Sequence, residues 1–130
     1  MDEVVFDYLM RFVTGIVLGG IIGSFITMLT FRLPRQKSLF TPPSSCPACR
    51  KRIKWIDMIP VVSYLLLKGK CRACGAEYGK RYFNIELTSV IGTTLALVCW
   101  GLGDQGFMVV VIFAVVYTIG ILVAQQGKID

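Results

Sequence analysis

Three stretches of the chain, residues 12–31, 87–103 and 105–127, carry no charged side chain. Each is apolar almost throughout. A helix needs about 20 such residues to cross the hydrocarbon core, so the pattern predicts three membrane-spanning helices. The second run is the shortest and gains length if residues 82–84 sit at the interface. The alternative, buried helices of a soluble protein, fits poorly with three such runs in 130 residues. The first run is flanked by Asp2, Glu3 and Asp7, whereas a cleavable signal peptide has a basic flank. It reads as a helix that crosses and stays.

Smaller residues refine this picture. Gly15, Gly19 and Gly23 recur every four positions in the first run. They form one face on which another helix backbone can approach closely. Thr88, Ser89, Gly92, Thr93 and Thr94 give the second run a matching set of small residues able to hydrogen-bond between helices. A tight pair of these two helices is expected. Leu33-Pro34 ends the first helix, because proline cannot continue it. Residues 35–45 are basic and then rich in Pro and Ser. Residues 53–67 mix apolar and polar positions and are broken by Pro60. They are too polar to span and read as a short amphipathic segment partly at the membrane surface. The fold class is thus an all-α membrane protein. It is divided into a first helix (1–33), a loop (34–81) and a second and third helix (82–130).

Charge sets the orientation. Twelve of the fourteen Lys and Arg residues lie between Arg32 and Arg81, against only Asp57 and Glu77. The positive-inside rule puts that loop on the cytoplasmic side and the N-terminus outside. The second helix then runs outward, Leu102 to Gln105 form an outer turn, and the third helix returns. The same cations attract anionic lipid. Aromatic residues among them are sparse, so a nucleic-acid partner is not expected.

The chemistry lies in the loop. Cys46-Pro47-Ala48-Cys49 and Cys71-Arg72-Ala73-Cys74 are two CxxC pairs with 21 residues between them. A two-residue spacer lets both sulfurs of a pair reach one ion, and two pairs complete a four-thiolate zinc shell. No position is then left for substrate, so the predicted site is structural and clamps a loop that cannot build its own core. Lys51, Arg52, Lys70 and Arg72 flank the sulfurs and offset their charge. Redox chemistry is the competing reading of a CxxC, but it needs no second copy. Structural disulfides are disfavoured in a reducing compartment. Cys99, alone in the second helix, is assigned no chemistry.

Three blocks together resemble one family. They are Gly23-Ser24-Phe25 with Phe31-Arg32-Leu33-Pro34; Cys46-Pro47-Ala48-Cys49 with the run from Trp55 to Tyr64; and Gly69-Lys70-Cys71-Arg72-Ala73-Cys74 with Arg81-Tyr82 and Glu86. Over residues 15–90 the chain is similar to the N-terminal part of bacterial prepilin peptidases. These are membrane aspartyl proteases with an associated N-methyltransferase activity. The resemblance implies a bacterial inner-membrane location and zinc on the four cysteines. It also implies S-adenosylmethionine as methyl donor, and prepilins of type IV pili or pseudopilins of type II secretion as substrates. Thr27, Met58 and Phe83 depart from the family's common residues.

In that family, proteolysis belongs to two aspartates in the helices that follow the N-terminal region. Counted from Arg81-Tyr82, the first of these positions falls near Ala124. Gly101-Leu102-Gly103-Asp104 matches the family's GxGD string but lies in the expected outer turn. Asp104 and Asp130 stand about 39 Å apart along a nearly continuous helix at 1.5 Å per residue. An aspartyl protease needs both carboxylates at one water, so this chain by itself is not expected to cleave.

Two functions follow. One is methyl transfer or substrate docking without self-sufficient cleavage, with Asp57, Arg81, Tyr82 and Glu86 as the candidate catalytic residues. Glu86, at the cytoplasmic end of the second helix, needs a partner at that depth, and Arg81 is nearest in sequence. The other is a non-enzymatic membrane adaptor that docks pilin precursors. In that case the Gly15/Gly19/Gly23 face receives a separate peptidase half or a second copy of the chain.

Overall fold

A computed structural model describes residues 1–39, 45–59, 61–77 and 79–127. Four α-helices follow in order: α1 (Glu3–Arg32), α2 (Val62–Leu67), α3 (Lys80–Trp100) and α4 (Asp104–Gln126). Of these, α1, α3 and α4 are long and apolar enough to cross a membrane. No strand of regular length occurs among the described residues, although two isolated bridges do.

The first helix starts nine residues ahead of its uncharged run. Asp7 and Arg11, one turn apart, form an ion pair of 2.6 Å along this extension. The Arg11 guanidinium lies over the Tyr8 ring and donates to the Val98 carbonyl at 3.4 Å. Thirty residues span about 45 Å, against about 30 Å of hydrocarbon, so α1 is longer than one crossing requires. It ends at Arg32 and passes into a 3-10 turn, Leu33–Arg35, with Pro34 inside it. At the far end of α3, Gly101 takes a positive φ of 86° and starts the turn into α4.

Glycine decides how α1 and α3 pair. A Cβ placed on Gly15 would lie 2.5 Å from the Thr94 Cα; on Gly19, 2.6 Å from the Val90 Cα; on Gly23, 2.9 Å from the Glu86 Cα. Each step of four forward in α1 meets a step of four back in α3, so the two helices are antiparallel and in backbone contact. Without a hydrophobic drive in lipid, such close packing supplies the association. Ser89 and Thr93 are fully buried at this seam. Two expectations are corrected here. The hydroxyls of Thr27, Ser89, Thr93 and Thr94 find no hydrogen-bond partner, so the middle of the seam is held by packing, and the bonds between the two helices are the long ones from Arg11 to Val98 and from Ser24 to Glu86. The glycine face is also already filled by the chain's own α3. It is therefore not a docking face for a peptidase half or a second copy.

The fourth helix packs more loosely, burying only Gly106 and Val110. Val110 joins Ala96 and Leu97 in a small core beside Ile22 and Val109. Gly92, grouped in the sequence with the α1-facing residues, instead receives the Phe113 ring of α4. Cys99 is exposed on α3. Ile129-Asp130 and Lys128, expected at the cytoplasmic end of the third span, lie outside the described residues.

Candidate metal centre

The loop between α1 and α3 folds into two copies of one hairpin. In the first, the Cys46 N–H donates to the Lys51 carbonyl at 3.0 Å, and the Cys46 carbonyl accepts from Arg50 N–H at 2.8 Å. In the second, the Cys71 N–H donates to Ala76 at 2.8 Å, and the Cys71 carbonyl accepts from Gly75 N–H at 2.9 Å. A bridge flanks each: Ser45 with Arg52, and Lys70 with Glu77. The residue four beyond the leading cysteine takes a positive φ in both, Arg50 at 60° and Gly75 at 73°. This turn aims both sulfurs of a pair, and the N–H groups behind them, at one point.

The two hairpins face each other. The Sγ atoms of Cys46, Cys49, Cys71 and Cys74 all lie within 4.8 Å of one another. Cys46 and Cys74 are 3.7 Å apart, and Cys49 and Cys71 are 3.9 Å apart. None of the cysteines is disulfide-bonded. Sulfurs at about 2.3 Å around a tetrahedral zinc sit about 3.8 Å from one another, so the spacing fits the ion. The four cysteines can hold a metal ion such as zinc.

Electrostatics point the same way. Backbone N–H groups, Cys49 above all and then Ala48, hold the Cys46 thiol below its ordinary range against burial. The Ala76 N–H pulls Cys74 down too. There, burial and the thiols of Cys46, Cys71 and Cys49 outweigh it and push Cys74 up to about 11. Four sulfurs this close cannot all ionise unaided. A cation among them reverses the repulsion and makes all four thiolates.

Around the centre, Asp57 and Arg72 form a two-pronged charge-assisted pair. Arg72 Nη2 donates to Asp57 Oδ1 at 2.7 Å and Nε to Oδ2 at 3.0 Å. Hydrogen bonding from Arg72 holds the Asp57 carboxyl below the usual carboxylate range. The pair ties the 3-10 turn Trp55–Met58 to the second hairpin. Of the four cations expected to flank the sulfurs, Arg72 is thus engaged by Asp57, and Lys70 stands 3.9 Å from Glu77.

The other candidate residues lie at the helix ends. Glu86 does not pair with Arg81. Its Oε2 accepts from the Val61 N–H at 2.9 Å, and Oε1 accepts a longer bond from Ser24 Oγ at 3.5 Å. Arg81 instead donates to the Gln125 amide oxygen, whose nitrogen donates to the Thr30 carbonyl at 3.0 Å. The Tyr82 ring lies 6.3 Å from that of Phe31. Asp57, Arg81, Tyr82 and Glu86 are therefore spread over two places and do not form one constellation. Val61, at φ 61°, and Gln125 were not legible as participants. Their roles depend on backbone groups and on the position of α4, which no local spacing encodes.

A bundle of three helices long enough to cross a membrane, with a paired-hairpin four-thiol cluster that can hold a metal ion, defines the class. The bacterial peptidase A24 N-terminal domain family matches residues 17–100, and the chain belongs to that family. It is 38% identical over 100 residues to the type 4 prepilin-like proteins leader peptide-processing enzyme of Escherichia coli O78:H11, covering 63% of this chain and 37% of that enzyme. It is 31% identical over 105 residues to the prepilin leader peptidase/N-methyltransferase of Bacillus subtilis, covering 81% of this chain and 42% of the relative. For the Vibrio cholerae enzyme of the same name, the figures are 42% over 79 residues, covering 55% and 31%. The chain thus spans well under half the length of these relatives. No solved structure matches it.

Proposed function

We propose that the chain is the N-terminal module of a prepilin-processing system, acting in N-methylation of cleaved pilins or pseudopilins, without self-sufficient aspartyl cleavage. The observation that carries this reading is the family match over residues 17–100, joined to a complete four-thiol set. The relatives' names supply both activities, peptidase and N-methyltransferase. On this reading zinc is held by Cys46, Cys49, Cys71 and Cys74 and is structural, since a closed thiolate shell offers substrate no site. The protein sits in the bacterial inner membrane with lipid around α1, α3 and α4. Its loop faces the cytoplasm and its N-terminus lies outside, in keeping with the cation excess from Arg32 to Arg81. The methyl donor is S-adenosylmethionine, and Asp57, Arg81, Tyr82 and Glu86 are the residues to test. The partners are prepilins or pseudopilins and a separate peptidase half docked elsewhere than on the glycine face.

A second reading, a non-enzymatic adaptor for pilin precursors, is favoured by one observation. Asp57, Arg81 and Glu86 all have partners within the fold. The experiment that separates the two offers labelled S-adenosylmethionine to the purified protein in detergent, with intact prepilin or pre-cut pilin. Label on the pre-cut pilin alone supports the methyl-transfer module. No label on either, with zinc bound, leaves the adaptor. Cleavage of the intact prepilin, abolished by Asp130→Asn, overturns the absence of self-sufficient cleavage.

A further inference from the structure

The loop carries a second feature, an exposed apolar patch outside the metal centre. Trp55 is 75% exposed, Leu65 63% and Leu66 74%. These side chains lie outside the candidate spans, on the 3-10 turn Trp55–Met58 and on α2, which touch each other. A patch of this kind on a loop marks an interaction site. Next to the metal centre is a cavity of about 350 Å³ walled by Lys51, Arg52, Lys54, Asp57, Leu67 and Arg72, with Cys71 of the thiol cluster on its inner side. Asp57 is committed to Arg72. Lys51, Arg52 and Lys54 form no ion pair within 4.0 Å among the described residues, and Lys54 acts on Asp57 only at longer range.

Charge remains after the metal is counted. Between Ser45 and Glu77 there are seven Lys and Arg and two acids, a net of five positive charges. A zinc ion on four thiolates takes two of them, leaving three. Position decides what the patch meets. Val61 is bonded to Glu86, and the Tyr64 ring stacks on Phe83 at 4.5 Å. Both anchors lie in the first two turns of α3, within about 10 Å of its start along the axis. The patch is therefore held where α3 leaves the membrane.

We propose that Trp55, Leu65 and Leu66 enter the headgroup–acyl boundary and that the cavity walled by Lys51, Arg52 and Lys54 binds the headgroup phosphate of an anionic phospholipid. Apolar side chains flanked by cations at the level of a membrane surface are the composition of an interfacial anchor. Cations there give preference for anionic lipid. The site rests on the helices spanning and not on methyl transfer, so it stands or falls separately from the function proposed above.

The test uses the full chain in nanodiscs, with Trp100→Phe so that Trp55 alone reports. A minor fraction of lipid brominated near the headgroup end of its acyl chains is included. Brominated phosphatidylglycerol should quench Trp55 about five-fold more effectively than the same fraction of brominated phosphatidylcholine, the preference that one engaged cation confers. Changing Lys51, Arg52 and Lys54 together to Gln should abolish the preference while bound zinc, measured in the same sample, shows the loop intact. Absence of quenching by either lipid overturns the proposal, as does equal quenching by both. Shielding of Trp55 by a soluble acidic peptide and not by lipid also overturns it and makes the surface a protein site.

Discussion

Arg50 and Gly75 occupy the same place in the two cysteine hairpins. Each stands four residues after the leading cysteine, donates its N–H to that cysteine's carbonyl, and takes a positive φ, 60° and 73°. An L-residue there is strained by about 1–2 kcal/mol, and glycine is not. Arg50→Gly should therefore strengthen the metal-bound loop by about 1 kcal/mol. A Cβ on Gly75 meets nothing within 4 Å, so Gly75→Ala should weaken the loop by a similar amount through the backbone alone. Zinc transfer to a chelator, followed for both variants, checks the opposite signs.

Metal binding should depend steeply on pH. In the metal-free hairpins the Cys74 thiol is pushed up to about 11, so at neutral pH it carries its proton and binding must expel it. Affinity should rise about ten-fold per pH unit for each proton displaced, with at least one displaced between pH 6 and 8. Without metal the sign reverses. A raised thiol favours the folded hairpins below about 9 and loses that contribution as pH climbs through 11. Calorimetric titration in buffers of different ionisation enthalpy counts the protons.

Asp57→Asn keeps the shape but loses charge from the Arg72 fork. Because the fork fixes the hairpin that carries Cys71 and Cys74, zinc retention should fall by about ten-fold, as for other outer partners of metal ligands. The Asp57 carboxyl is held below its usual range by Arg72. The fork's contribution should therefore be present above about pH 4 and fade as pH falls further. Competition with a chelator at pH 7 should show the wild-type advantage, and protease protection of the metal-free loop should lose that advantage only below about pH 4.

The seam between α1 and α3 should be intolerant of one methyl group. Gly19→Ala puts a Cβ 2.6 Å from the Val90 Cα, and neither backbone can yield without separating the helices. A loss of about 1–3 kcal/mol is expected. Gly120→Ala, where a Cβ meets nothing within 4 Å, should be tolerated. Thermal unfolding in detergent compares the two.

Glu86 should matter to the loop more than to the metal. Glu86→Ala leaves the Val61 N–H without its acceptor, at a cost of about 1–3 kcal/mol, and releases a β-branched residue from a positive φ. Protease cutting within residues 61–67 should rise while bound zinc stays unchanged. Glu86→Gln, which keeps an acceptor oxygen, should largely restore protection.

The sequence by itself determined the three apolar helices long enough to span and the four sulfurs, because both rest on local rules. A charge-free run of about 20 residues has to find an apolar medium. Two CxxC pairs carry their own turn geometry. It also showed that Gly15, Gly19 and Gly23 make a face for close approach. What met that face, and which polar groups paired, only the tertiary structure decided. Glu86 is claimed by Val61, 25 residues away in the chain, and by Ser24. Arg81 is claimed by Gln125 at the far end of α4. Gly92 turned from α1 to Phe113. Such pairings depend on the antiparallel register of α1 and α3 and on where the loop folds back. The many side chains along that seam fix that register together, and no nearest neighbour in sequence reports it.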